Sequence, residues 1–384
     1  MDDMKDQKME TAAPRREKRR KLKTACCVII VVLAAVLGVA GNFLFDFALN
    51  PNGIYTMKMM QNSQAQQAKA AGHGEKQDAE ERKARAWFKR RRVSCSMNAD
   101  DGTKLYGWVF AQNGQRGVTA GAPCRTDGSQ VFAQNGQRGV TADMNDDGVS
   151  TGLSAISGDE PHDYAICLHG YTNEPIGMAR YAKRFFDRGM TVLTPAARAH
   201  ERSGGEYVGM GWPERNDVVK WVREIVRRDP QARILIFGVS MGGATAMDVA
   251  GEKLPCQVRC IIEDCGYTSV WDEFSLQLKD VFGLPSFPLL DVASATCNVR
   301  AGYDFRTASS VEQLKKATLP MLFIHGDKDT FVPYSMLDQN YDACASKIKQ
   351  KLTVHGATHA KSAQVDPELY WSTVENFLEA NFDA

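Results

Sequence analysis

The chain has almost no net charge: its 47 lysines and arginines meet 46 aspartates and glutamates over 384 residues. That balance carries no whole-chain signal for nucleic acid, and none is expected as a partner. The ten cysteines include no Cys-x-x-Cys pair, and no histidine stands at zinc-ligand spacing from them, which argues against a structural zinc site. A third copy of the one long repeat is also missing. VFAQNGQRGVTA occupies 109–120 and recurs at 131–142, whereas a solenoid needs about three units to bury a core. The repeat reads as a duplicated surface loop, with Asn113-Gly114 and Asn135-Gly136 as tight turns. Within the same insert, 111–162, Asp143 to Gly148 resembles half of a calcium loop. Ser154 stands where a glutamate is needed, so a polar turn is the better reading.

What is present is an ordinary globular composition, 43% hydrophobic and 24% charged, enough for one large domain and some extras. Its charges are unevenly placed. Arg15 to Lys23 is strongly basic, and the 21 residues from Ala25 to Phe45 carry no charge at all. At about 1.5 Å per residue that stretch spans about 30 Å, the thickness of a bilayer core. We expect a cytoplasmic basic tail at 1–24, a transmembrane helix at 25–45 and a stalk at 46–92. Cleavage near Ala40-Gly41 is the competing reading. The far flank carries only Asp46 and then Lys58, so the positive-inside rule places the rest of the chain outside the cell membrane, single-pass. A disulfide among Cys256, Cys260, Cys265 and Cys297 would suit that location. Trp87-Phe88 lies in a charged run that reads as a helical or partly disordered spacer. The basic residues 89–92 could meet anionic lipid at about 1 kcal/mol per charge.

Residues 93–97 and 104–111 alternate about an Asp100-Asp101-Gly102 turn, as a hairpin does. Strands then alternate with helices. The strands expected are 163–168, 190–194, 232–237, 258–263, 319–324 and 350–355. The helices expected are 176–188, 212–228, 241–253, 270–282, 308–316, 335–347 and 366–380. This is the pattern of an α/β domain, with a mostly parallel sheet covered on both faces and function at the carboxyl ends of its strands.

One stretch organises the rest. Ile234 to Phe237 runs into Gly238-Val239-Ser240-Met241-Gly242, and a run of small residues follows. A buried strand, a Gly-x-Ser-x-Gly turn and a helix make a nucleophile elbow. Ser240 then needs a base, and the base needs an acid, in the chain order Ser, Asp, His. Met321 to Ile324 opens into a loop with Asp327 and Asp329. Val354 opens into one with His355 and His359. Asp329 and His359 are the expected partners; Asp327 and His355 are the plain alternatives, a turn-former and a strand-end histidine. Backbone N–H groups of Met241 and Tyr171 are the expected oxyanion donors. The His169 side chain is expected to brace the loop. Such a site calls for no cofactor.

His169-Gly-Tyr171, Gly238 to Gly242, His325-Gly-Asp-Lys-Asp-Thr-Phe-Val-Pro333 and Ala357-Thr-His359 together resemble the α/β-hydrolase superfamily. More narrowly, Gly209 to Asp217, Glu263 to Ser269 and Ala308 to Ser310 are similar to membrane-anchored bacterial hydrolases grouped with serine aminopeptidase-like proteins. The resemblance covers about 90–110 and 160–384. It implies an eight-stranded α/β-hydrolase domain at 93–384 and a Ser-His-Asp acyl hydrolase. One departure stands out. Many relatives carry Pro-Asp-x-Arg-Gly-His-Gly after the strand at 190–194, where this chain has Pro195-Ala-Ala-Arg-Ala-His-Glu201. Residues 269–310 fall where such folds carry a lid. Their many apolar residues suit an acyl pocket or an ordinary core helix equally.

The expected substrate is a small acyl compound, an ester, thioester or small amide, or a short peptide. An aminopeptidase would need an acid for the substrate ammonium, with Glu263, Asp264 and Glu201 as candidates. A surface-binding protein without activity is the alternative from another class. A dehalogenase would need aspartate at position 240.

Overall fold

The computed structural model describes residues 3–53, 75–112 and 162–383, with side chains from residue 21 in the first segment and from 79 in the second. The second repeat copy, both Asn-Gly turns, the calcium-like loop and the Gln/Ala-rich stretch at 61–71 lie outside the described residues.

The centre is a sheet of eight strands: β1 (Val93–Asn98), β2 (Lys104–Phe110), β3 (Asp163–Leu168), β4 (Thr191–Pro195), β5 (Arg233–Val239), β6 (Val258–Asp264), β7 (Met321–Gly326) and β8 (Lys349–Val354). Their spatial order is β1-β2-β4-β3-β5-β6-β7-β8. β1 and β2 form the expected antiparallel hairpin, β2 is antiparallel to β4, and the remaining pairs are parallel. The expected strands match these to within a few residues. β5 sits in the middle because Ile234, Leu235, Ile236 and Phe237 are fully buried, and only a strand covered on both faces tolerates such a run.

The helices are α1 (Asp3–Leu49), α2 (Glu75–Arg91), α3 (Ala179–Asp187), α4 (Glu214–Arg228), α5 (Met241–Ala250), α6 (Val270–Phe282), α7 (Leu289–Ala301), α8 (Ser310–Leu314), α9 (Ser335–Ala343), α10 (Ser362–Val365) and α11 (Pro367–Asn381). α2, α3 and α11 cover one face of the sheet, and α4, α5, α8 and α9 the other. α4 shows why the chain folds this way. Val218, Trp221, Val222 and Ile225 recur at helical spacing and are buried, while Glu214 and Asp217 open the helix and Arg227 and Arg228 close it, as the helix dipole favours. α6 and α7 form a third layer over the carboxyl edge of the sheet. Ser269 caps α6, its hydroxyl accepting from the Asp272 amide at 3.0 Å, and left-handed Gly283 ends it.

Three differences from the sequence reading have physical causes. α7 was not expected, because Pro285 and Pro288 suggested a broken segment; both fall in the turn before it. The expected spacer ends in a packed helix, with Phe88 fully buried and Trp87 stacked on Phe110 at 4.7 Å. Its charges form the outer face, and the aromatic pair sits on the inner one. The disulfide allowed for among Cys256, Cys260, Cys265 and Cys297 is absent: all four are free thiols, and only Cys256 is exposed.

The loop that departs from the family pattern keeps a glycine-like backbone without the glycines. Ala199 and Glu201 have φ of 58° and 48°, a region that costs an L-residue about 1–2 kcal/mol. Arg198 holds the loop through Asp217, at 2.7 and 2.8 Å, and through Asp101. In α1, the segment Lys21–Leu49 is long and apolar enough to cross a membrane.

If α2 is part of the domain, Phe88→Ala destabilises the detergent-solubilised chain by about 3–5 kcal/mol, the usual effect of removing a buried aromatic ring. Thermal or denaturant unfolding reads this. An unchanged midpoint would mean that α2 is only loosely attached.

Candidate active site

Ser240 links β5 to α5 with φ 58° and ψ −121°, a strained conformation for a residue with a side chain. The strain persists because strand and helix cross too closely for any other path. A Cβ on Gly238 would run into the Gly242 carbonyl, and one on Gly242 into the Leu168 carbonyl. The Ser240 amide is tied to the Asp264 carbonyl at 2.8 Å, and its carbonyl accepts the first helical bond from Ala244 at 2.9 Å. The hydroxyl is left at the carboxyl edge of the sheet, and the residue as a whole is 9% exposed.

Asp329 and His359 arrive from the next loops along that edge. Ser240 Oγ is 2.8 Å from His359 Nε2, and His359 Nδ1 is 2.7 Å from Asp329 Oδ2. The three groups chosen from the sequence thus form one continuous hydrogen-bonded chain. Asp327 and His355 pair with each other instead, at 3.0 Å, away from the serine.

Asp329 has more partners than the sequence suggested. Its Oδ1 accepts from the Phe331 and Val332 amides, both at 3.0 Å. His325 Nε2 lies 3.3 Å from Oδ2 and 2.9 Å from the Val332 carbonyl. A carbonyl only accepts, so Nε2 carries the proton and points it at both oxygens. Burial pushes the Asp329 carboxyl up, but the bonds from His325 and His359 outweigh it and hold it at about 2. His325 is the penultimate residue of the strand that leads into the Asp329 loop; in the sequence it opened the motif ending at Pro333, with no role of its own.

The turn after β3 lies against the serine: a Cβ on Gly170 would stand 3.2 Å from that of Ser240. Tyr171 follows directly. Met241 is the first residue of α5, where a backbone N–H has no acceptor within its own helix. Of the two expected oxyanion donors, Met241 thus follows Ser240 in the chain and Tyr171 follows Gly170, which packs against that serine. His169 braces the turn, its Nε2 accepting from the Ala197 amide at 3.0 Å and its Nδ1 2.9 Å from the Gly170 carbonyl. Burial and the neighbouring His200 push its pKa down to about 3 and keep the ring neutral.

The acids considered for an ammonium are engaged elsewhere. Glu263 and Asp264 are fully buried rather than at a pocket edge. Glu263 accepts from the Gly266 amide at 2.9 Å, Asp264 from the Tyr370 hydroxyl at 3.0 Å, and Glu201 from Trp108 Nε1 at 3.1 Å. Glu273 on α6 was not foreseen. It is buried with Gln277 on one oxygen and, among the described residues, nothing on the other, and burial raises its carboxyl to about 8. Cys265 also comes close: its sulfur lies with ligand atoms of Asp329 and His359 within 4.8 Å of one another. Burial raises its thiol well above the ordinary value, whereas a metal takes the thiolate.

An eight-stranded, mostly parallel sheet with a strained serine on the turn after its central strand defines the α/β-hydrolase class. Comparison with known proteins agrees. Residues 159–280 match the family model for serine aminopeptidase, S33. The chain is 30% identical over 222 residues to YqkD of Bacillus subtilis (strain 168), an uncharacterized protein, covering 58% of this chain and 72% of that one. Among solved structures, the Pyrococcus furiosus esterase Pf2001 superposes with a TM-score of 0.52 at 20% identity, over 76% of this chain and 93% of its own. The chain belongs to the α/β-hydrolase superfamily.

The buried acids set a pH dependence. Glu273 keeps its proton in the folded state up to about 8 against 4.5 for an ordinary glutamate, so between those values the unfolded chain binds fewer protons and stability falls as pH rises. Glu214 and Asp248, both raised to about 7 by burial, act in the same direction. Glu273→Gln should make the decline in melting temperature from pH 5 to pH 8 shallower. Equal slopes for variant and wild type would contradict this.

Proposed function

We propose that this chain is a membrane-anchored serine hydrolase that cleaves carboxylic esters through an acyl-enzyme. The observation that carries this reading is the continuous bond chain from Ser240 through His359 to Asp329. Ser240 Oγ attacks the ester carbonyl while His359 Nε2 takes its proton. Asp329 holds the imidazole in the required tautomer and stabilises the imidazolium. The oxyanion is met by the N–H groups of Tyr171 and Met241, where one donor is worth about a hundredfold or more in rate. His359 returns the proton to the departing alkoxide, and the alcohol leaves. Water, deprotonated by His359, then attacks the acyl-Ser240 bond, releases the carboxylic acid and restores the serine. Thioesters and small amides react by the same steps. A purely binding scaffold has no use for a strained serine aligned with a base and an acid.

Aminopeptidase activity is the second reading, and the observation that favours it is Glu273, with its unpartnered buried oxygen. It is weaker, because an acid held neutral at pH 7 attracts an ammonium poorly. The exposed apolar face of α1, with Val39 73% exposed, and its basic leading flank support an anchor with the domain outside the cytoplasm. No nucleic-acid partner is proposed.

A fluorophosphonate probe should label the wild type and not Ser240→Ala; equal labelling of both would remove Ser240 from its role. Asp329→Asn should lower kcat by a factor on the order of ten thousand. Hydrolysis of p-nitrophenyl esters against aminoacyl anilides separates esterase from aminopeptidase. Alkaline phosphatase fused after Met60 should be active, and an inactive fusion would reverse the topology.

A further inference from the structure

The final turns of α1 do not leave the domain. Phe45 and Leu49 are fully buried in the lid layer. Gly41 lies so close to Val292 of α7 that a Cβ there would collide with it. Arg300 of α7 pairs with Asp46 at 2.9 Å, donates to Asn42 Oδ1 at 2.6 Å and stacks on Phe45 at 4.4 Å. The Val208 amide donates to the Leu49 carbonyl at 2.9 Å, and the Tyr171 hydroxyl donates to that of Ala48. The apolar helix is thus joined to the lid and to the oxyanion turn.

A narrow apolar cavity lies between them. Leu44, Phe47 and Ala48 of α1 form one wall, and Phe274, Leu278 and Phe305 belong to the other. Among the described residues, Gln277 is the only polar one lining it, and no charged side chain does. The triad residues are not among those lining it, but Gln277 links it to them by contact. The Gln277 amide donates to the Phe331 carbonyl at 3.4 Å, and the Phe331 ring lies 4.9 Å from that of His359. One end leads towards the membrane segment. Val281 and Phe282 line it and are 46% and 38% exposed, and Phe282 packs on Phe47 at 5.1 Å. Beyond them Phe287, in the turn before α7, is 76% exposed, and Phe43 on α1 is 52% exposed. Apolar side chains this exposed, beside a helix able to span a bilayer, are a surface suited to lipid rather than water.

We propose that this cavity is the acyl-chain site, that α1 is one of its walls, and that its occupant is the acyl chain of a membrane lipid ester arriving from the bilayer along α1. The proposal rests on the anchored-hydrolase reading and adds the substrate class. A cavity lined by one amide and otherwise apolar side chains accepts a hydrocarbon chain without desolvating a charged group. The anchor then does two things: it fixes the enzyme at the membrane and shapes its specificity.

The test uses the full-length chain with p-nitrophenyl acetate and p-nitrophenyl palmitate in detergent micelles, and the palmitate ester in phosphatidylcholine vesicles. The first readout is the ratio of kcat/KM for palmitate to that for acetate. Leu44→Trp, which fills the cavity from the α1 side, should lower this ratio by about tenfold or more, as small volume changes in apolar pockets do. Phe47→Ala, which removes wall instead of adding bulk, should raise KM for palmitate more than for acetate. Ratios unchanged in both variants, with Ser240 still labelled by the fluorophosphonate, would overturn the proposal and leave the hydrolase reading intact. A wild type that neither labels nor hydrolyses either ester would overturn both. Phe287→Asp should reduce palmitate hydrolysis more in vesicles than in micelles; equal loss in the two would overturn arrival from the bilayer.

Discussion

The close crossing of β5 and α5 is the constraint on which the catalytic edge depends. Because Gly238 and Gly242 have no side chains, the strand and helix approach nearer than any other pair of residues would allow. The turn between them has no relaxed path, and Ser240 takes up a left-handed conformation. That conformation turns the hydroxyl out of the sheet edge and brings the start of a helix beside it. The same closeness brings Gly170 against Ser240. The serine, the helix amide and the β3 turn are therefore positioned by one packing contact, and substituting either glycine would disturb all three.

Electrostatics complete the arrangement. A carboxylate in an apolar surrounding tends to take up a proton. Asp329 stays ionised because two histidines and two backbone amides surround it, and in the proposed mechanism an ionised acid is what a protonated His359 needs. Glu263 and Glu273 are buried with fewer such partners, and desolvation raises both to about 8. Acids close in the fold thus differ in charge at neutral pH, one ionised and the others neutral. Only the ionised one is bonded to the histidine that touches the serine.

Much of this was legible in the sequence because it rests on local patterns. Apolar runs of strand length marked the central strands, and the glycines around Ser240 marked the elbow. Asp329 and His359 followed from chain order and from the strands before them. What was not legible depended on contacts between distant segments. Phe45 and Leu49 look like the continuation of a membrane span, and nothing local says that they pack on α7. Trp87 and Phe88 are hidden in a charged run, since an amphipathic helix with so narrow an apolar face barely shows in composition. Pro285 and Pro288 read as helix breakers, whereas they shape the turn that lets α7 begin. His325 looked like the end of a strand, because its bond to Asp329 exists only once β7 and its loop are in place. The aminopeptidase acids failed for the same reason: in sequence, Glu263 and Asp264 are carboxylates at a strand end, and only the folded chain shows them turned inward.

The central claim is that the reaction passes through a covalent bond to Ser240. The most direct measurement is rapid quenching of the full-length enzyme with excess p-nitrophenyl ester, followed by mass spectrometry of its peptides. The account predicts a burst of p-nitrophenol, with the acyl mass on the peptide that contains Ser240. Turnover at a comparable rate with no acyl adduct, or with the adduct on a different residue, would contradict it.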